Sequence, residues 1–178
     1  MLFRSLLTEA LSPFHLIARP ALIAGWFLIV GAAAWWVVRH PFPLRRPVIR
    51  PLETVIVICV AAIVALLALT AWLAPPNTFD ALAYHMPRIV YWAQARSVAF
   101  FPTTYLSQIS SPPLDEFLKL HAYVLWGGDR LVNLVSVAAF AGCIIGVSAI
   151  AGALGLSARS QAFAALLCAT LPSGILQA

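Results

Sequence analysis

Residues 78–92 read TFDALAYHMPRIVYW, and the way charge enters this stretch decides how the rest of the chain is read. It is the first place after a long apolar run where charge appears, with Asp80, His85 and Arg88. On a helix, Asp80, Tyr84, Arg88 and Tyr91 recur at i, i+4, i+8 and i+11. Phe79, Leu82, Met86, Ile89, Val90 and Ala93 share the opposite stripe. The pattern predicts an amphipathic helix, its apolar side against lipid or protein and its carboxylate-bearing face toward water. Pro87 either kinks that helix or starts a second one.

Working outward, the composition explains why so little charge surrounds this stretch. Of 178 residues, 62% are hydrophobic and 10% charged, against about half and about a quarter in a soluble globular chain. Such a chain belongs in a membrane. The net charge of +5 comes mostly from arginines in short segments between apolar runs. That fits orientation of spans, and no basic face interleaved with stacking aromatics suggests nucleic-acid binding. Cys59, Cys143 and Cys168 lie inside apolar runs without metal-ligand spacing, and read as small apolar residues. The N-terminus is not a clean secretory signal, since Glu9 and Pro13 interrupt before the apolar run.

Upstream, residues 1–15 predict a short surface helix. Ala21–Val38 carries no charge and ends near Trp35 and Trp36; at roughly 1.5 Å per residue it just spans a core of about 30 Å. Arg39–Glu53 holds four Arg and four Pro, which predicts an extended connection on the cytoplasmic side. Thr54–Ala74 is a second uncharged span, stopped by Pro75-Pro76. The expected division is 1–53, an N-terminal segment with the first span and basic linker, and 54–178, a transmembrane domain with an outer loop at 75–130.

In that loop Asp80, Asp115, Glu116 and Asp129 balance Arg88, Arg96, Lys119 and Arg130. Ser111-Pro112-Pro113 predicts a helix start, Ser111 as cap and Pro at the first turn, with Asp115 and Glu116 complementing the helix dipole. Gly127-Gly128 ends that helix, and Asp129 can cap the next. Leu131–Leu156 is a third span whose Ala138, Ala139, Gly142, Gly146 and Ala151 would admit a close neighbour. Ser160–Ala178 begins a fourth apolar helix. The fold class expected is all-α, with polytopic transmembrane helices and a helical outer loop.

The ordered set FDALAYHMPRIVYW, FPTTY, SSPPLDEFLKLH and Gly128-Asp129-Arg130 resembles the first outer loop of the GT-C-fold glycosyltransferases. Within that fold it resembles the bacterial family-39-like enzymes, which include protein O-mannosyltransferases and the lipid A aminoarabinose transferase. The resemblance covers roughly residues 54–178. It implies a multi-pass enzyme of the cell (inner) membrane, in contact with membrane lipid. Such an enzyme takes a sugar from a polyprenyl-phosphate carrier and gives it, with inversion, to an acceptor not identified here. Carried over, Asp80 is the catalytic carboxylate, as general base or as electrostatic partner for the acceptor. A carboxylate, with an ordinary pKa of about 3.9, needs a half-desolvated cleft to act as a base.

Around Asp80, Arg88 is a candidate for the leaving phosphate or for an ion pair with Asp80. Tyr84, His85, Asp115 and Glu116 are candidates for substrate binding, with structural readings beside them: Tyr84 and Trp92 as interface anchors, His85 as a solvated ring, His121 as packed. Some relatives place an acidic residue just before Pro-Pro-Leu, where it helps bind a divalent metal. Here Ser110 and Ser111 stand there, so no cofactor is expected. The resemblance also implies later spans and loops, so the chain reads as the N-terminal part of a longer enzyme. The alternatives are a non-catalytic membrane fragment or subunit and a transporter or channel component. Against the latter, no Asp, Glu, Lys or Arg lies mid-span.

Overall fold

The computed structural model of the chain describes residues 2–41 and 50–177. Most of the predicted Arg39–Glu53 connection, including Arg45, Arg46 and Pro47, lies outside those residues. Among the described residues every regular element is helical. In order these are α1 (Leu2–Leu11), a 3-10 turn (Ser12–Phe14), α2 (Arg19–Arg39), α3 (Pro51–Leu73), a π-turn (Ala81–His85), α4 (Met86–Ala95), α5 (Ser107–Ser110), α6 (Leu114–Trp126), α7 (Val132–Ala153), α8 (Ala158–Ala169) and α9 (Pro172–Gln177).

Three of these, α2, α3 and α7, are long and apolar enough to cross a membrane. Only 11%, 11% and 17% of their apolar windows are buried within the protein. Helices this apolar and this uncovered need a non-aqueous surrounding. The protein is therefore a membrane protein with three candidate spans. Pro20 and Pro51 open α2 and α3, where a missing N–H costs nothing. Gly155, at φ 80, follows α7 in the left-handed conformation that ends helices.

The chain divides into two compact units, each assembled from two separated segments. The first comprises Met1–Pro43 and Pro75–Val132, the second Leu44–Ala74 and Asn133–Ala178.

In the first unit, α1, the start of α2, α4 and α6 share one core. Ile17, Leu22, Ile89, Trp92, Phe101, Phe117 and Leu120 form its buried centre. α1 lies so close to α2 that a Cβ at Gly25 would sit 2.7 Å from Leu7 Cδ1. On α1 too, Thr8 Oγ1 meets His121 Nε2 of α6 at 3.0 Å. The expected surface helix at 1–15 is thus a helix-plus-turn with a packed face, and His121 is packed as read. Leu120, fully buried, contributes about 1.5–3 kcal/mol through the area it removes from water.

In the second unit, α3, α7, α8 and α9 surround Phe140, Ile144 and Ala169. Two expectations are corrected here. α7 packs through Phe140 and Ile144, and a Cβ at Gly142 or Gly146 would meet nothing within 4 Å. Close approaches fall at Gly152 of α7, whose Cβ would lie 3.1 Å from Gln161 Oε1, and at Gly174 of α9, whose Cβ would fall 2.5 Å from the Phe140 ring. The fourth apolar segment is also not one helix. Ser157 caps α8 by accepting from Ser160 N, and the helix ends at Ala169, ahead of Pro172, which starts α9. With 12 residues, α8 is about 18 Å long, too short to cross a bilayer core. At the head of α3, Glu53 accepts from Arg50 N at 3.1 Å and meets Arg159 Nε at 3.5 Å.

Candidate functional site

Residues 81–95 fold as a π-turn running directly into an α-helix. His85 ends the π-turn and Pro87 stands in the first turn of α4. Pro87 has no N–H to return to the carbonyl one turn back. That carbonyl, Ala83 O, accepts from the Gln108 side chain at 3.0 Å. Gln108 is oriented in turn by Thr103, whose hydroxyl donates to Oε1 at 2.7 Å, so that Nε2 is left as the donor. An X-Pro break in a helix has thereby recruited a loop that carries no long helix of its own.

The extra residue in the π-turn resets the helical phase. Arg88, expected on the water face with Asp80, is 1% exposed. Trp92, expected at an interface, is buried too, against Phe117 and under the Arg88 guanidinium. Of the apolar stripe read as facing lipid or protein, Ile89 is buried in protein, and Phe79 and Leu82 are exposed.

Arg88 is the centre of the polar cluster. Its Nε donates to Gln108 O at 2.5 Å, Nη2 to Ser107 O at 3.1 Å, and Nη1 to Ser111 O at 3.0 Å and Glu116 Oε1 at 3.1 Å. α5 has only four residues, so its carbonyls lack partners within the helix. The planar guanidinium supplies them, and its charge suits a helix C-terminus. The expected Ser111 cap for the next helix is therefore not formed: α6 starts at Leu114, with Pro113 ahead of it, and Ser111 serves through its carbonyl.

The pairing of Arg88 is also corrected. Its carboxylate is Glu116, not Asp80. With four of its N–H bonds directed at protein oxygens, Arg88 is placed to hold the loop, not a leaving phosphate. Glu116 is fully buried and shares Oε1 with His85 Nδ1 at 2.8 Å. The His85 ring is 26% exposed and leans on Tyr84, centroids 4.1 Å apart. Partial burial pushes the Tyr84 phenol above its ordinary range, and the charges of Asp80 and Glu116 push the same way, with Arg88 opposing.

Of the residues read from sequence, the structure brings Tyr84, His85, Arg88 and Glu116 together, with Asp80 exposed nearby and felt by Tyr84. Asp115 is apart: it pairs with Lys119 at 2.5 Å, one turn along α6 on the solvated side. Gln108 and the Ser107 and Ser111 carbonyls were missed; the signal for Gln108 was the carbonyl that Pro87 must orphan. Among the described residues no group of three or more His, Cys, Asp or Glu could hold a metal ion. A cavity of about 220 Å³ opens beside Arg88, walled by Trp92, Phe101, Ile109, Pro112 and Phe117. It is below the roughly 300–1,000 Å³ of most ligand pockets and too apolar to satisfy a sugar's hydroxyls. Set against known proteins, the chain matches no family model, no curated protein and no solved structure.

Proposed function

We propose that this chain carries the acceptor-side site of a GT-C-like membrane glycosyltransferase. A sugar passes from a polyprenyl-phosphate carrier to an acceptor at the outer face of the cell membrane, and Asp80 is the carboxylate at the reacting centre. One observation supports this reading above others. Asp80 is an exposed carboxylate that follows a candidate span, and the next turn of chain, with Tyr84 and His85, is fixed by the buried Arg88–Glu116 pair. Chemistry of this kind needs a rigid polar platform at the level where lipid-borne donor and water-borne acceptor meet. The segment between α3 and α7 supplies one, built from the polar bonds of Arg88, Glu116 and Gln108.

In this reading the acceptor attacks the anomeric carbon as the lipid phosphate leaves, and the Asp80 charge stabilises the positive character that develops there. Arg88 acts on the platform, and the phosphate is met by other groups.

The test uses membranes containing the protein and synthetic polyprenyl-phosphate hexoses and pentoses, with release of polyprenyl phosphate as the readout. Asp80→Asn is expected to lower release by at least about 10²-fold, with insertion and expression unchanged. Release at the wild-type rate in this variant removes Asp80 from the mechanism.

A further inference from the structure

The cluster contains one arrangement that the Asp80 reading does not use. Glu116 is fully buried, is tied to a buried guanidinium, and presents the oxygen that Arg88 grips to the Nδ1 of His85. A carboxylate held by a guanidinium accepts hydrogen bonds, so Nδ1 of His85 must be the donor. The neutral ring then carries its lone pair on Nε2, on a side chain that still reaches solvent. A buried carboxylate, an imidazole fixed by it in one tautomer, and an accessible second nitrogen together make an oriented proton acceptor. The surroundings agree: the Tyr84 ring lies against the imidazole at a tilt of 42° from the same turn, Glu116 meets it from α6, and Asp80 lies close enough for its charge to act on Tyr84.

We infer that His85 is the general base of the site and Glu116 its positioning residue, an inference that rests on the transferase reading above. The acceptor's O–H proton passes to His85 Nε2 while the acceptor oxygen forms its bond to the anomeric carbon. The bond from that carbon to the phosphate oxygen breaks, and its electron pair leaves with the polyprenyl phosphate. The imidazolium then returns its proton to water. Asp80 keeps the electrostatic role.

Two measurements test this. The first is nitrogen-15 spectroscopy of histidine-labelled protein in lipid nanodiscs, with His85→Gln assigning the ring. The expected signature is a protonated Nδ1 and a bare Nε2; a protonated Nε2 in the neutral ring overturns the inference without any assay of transfer. The second is polyprenyl phosphate release by His85→Ala with the same synthetic donors. The turnover number should fall about 10²–10⁴-fold with little change in KM, and added imidazole should restore part of it. His85→Gln should fall equally and unfold at the wild-type temperature, which separates lost chemistry from lost folding. Wild-type turnover in both variants overturns the base and leaves the transferase standing. No release by the wild-type protein overturns the transferase and this inference together.

Discussion

Replacing Arg88 by lysine keeps the charge and removes the fork. An ammonium is a point donor, and the acceptors of Arg88 are spread over Ser107, Gln108, Ser111 and Glu116. Lysine has three donors and no planar fork, so with acceptors this spread it is expected to hold Glu116 and one carbonyl, and about two charge-assisted bonds are lost. At about 1.5–3 kcal/mol each the face value is about 3–6 kcal/mol, and the lower end is expected because bonds in one network are not additive. For a chain of this size about 3 kcal/mol lowers the unfolding midpoint by roughly 6–12 °C. Arg88→Met should cost more, about 3–5 kcal/mol from the stranded carboxylate alone with the carbonyl bonds in addition. Restoring an uncharged partner in Arg88→Met/Glu116→Gln should recover part of that loss. Thermal unfolding in detergent, followed by tryptophan fluorescence, reads this directly because Trp92 lies 5.4 Å from the guanidinium. Limited proteolysis should show the new cleavages between 99 and 113. An Arg88→Lys midpoint within about 2 °C of wild type would refute the clamp.

Three further outcomes are expected of the same segment and its neighbours. The folded protein resists ionising Tyr84, so the stability it adds is whole below pH 10.0, the phenol's ordinary value, and is lost as pH rises through the higher folded value. Tyr84→Phe should flatten the alkaline fall in stability and remove a late component from the ultraviolet phenolate titration. Gly127 ends α6 at φ 86 with open space around it, so Gly127→Ala should cost only the backbone strain, about 1 kcal/mol; a neutral result in thermal unfolding would contradict the left-handed cap. Gln108→Leu leaves the Ala83 carbonyl without its donor and should destabilise by about 1–3 kcal/mol, with faster amide exchange across residues 81–88 as its local mark.

The spans were legible because their signal is redundant: many apolar residues, proline at the start and a turn at the end agree, and an error of two or three residues at a boundary changes nothing. The site was less legible for a local reason. A pattern counted at 100° per residue assumes an α-helix, and one π-turn between Asp80 and Arg88 breaks the count. Arg88 thereby moved from the wet face to the core, and its partner is a carboxylate 28 residues further along the chain. Glu116 could have been recognised as the inward carboxylate, because Glu116, Phe117, Leu120 and His121 form one buried stripe of α6 while Asp115 falls off it. The three carbonyls around Arg88 could not, since main-chain acceptors leave no trace in side-chain identity.

The buried Arg88–Glu116 pair also sets an order of assembly. During synthesis Arg88 emerges well before Glu116, and burying the guanidinium without its carboxylate would cost several kcal/mol. The segment from α4 onward is therefore expected to stay hydrated until α6 has been made, and α4, α6 and the intervening strap at Ser107–Ser111, which Arg88 ties together, are expected to dock jointly. A chain interrupted before Glu116 would keep α2 and α3 but lack the carboxylate that Arg88 needs, so α6 is the element on which the fold of the polar segment depends.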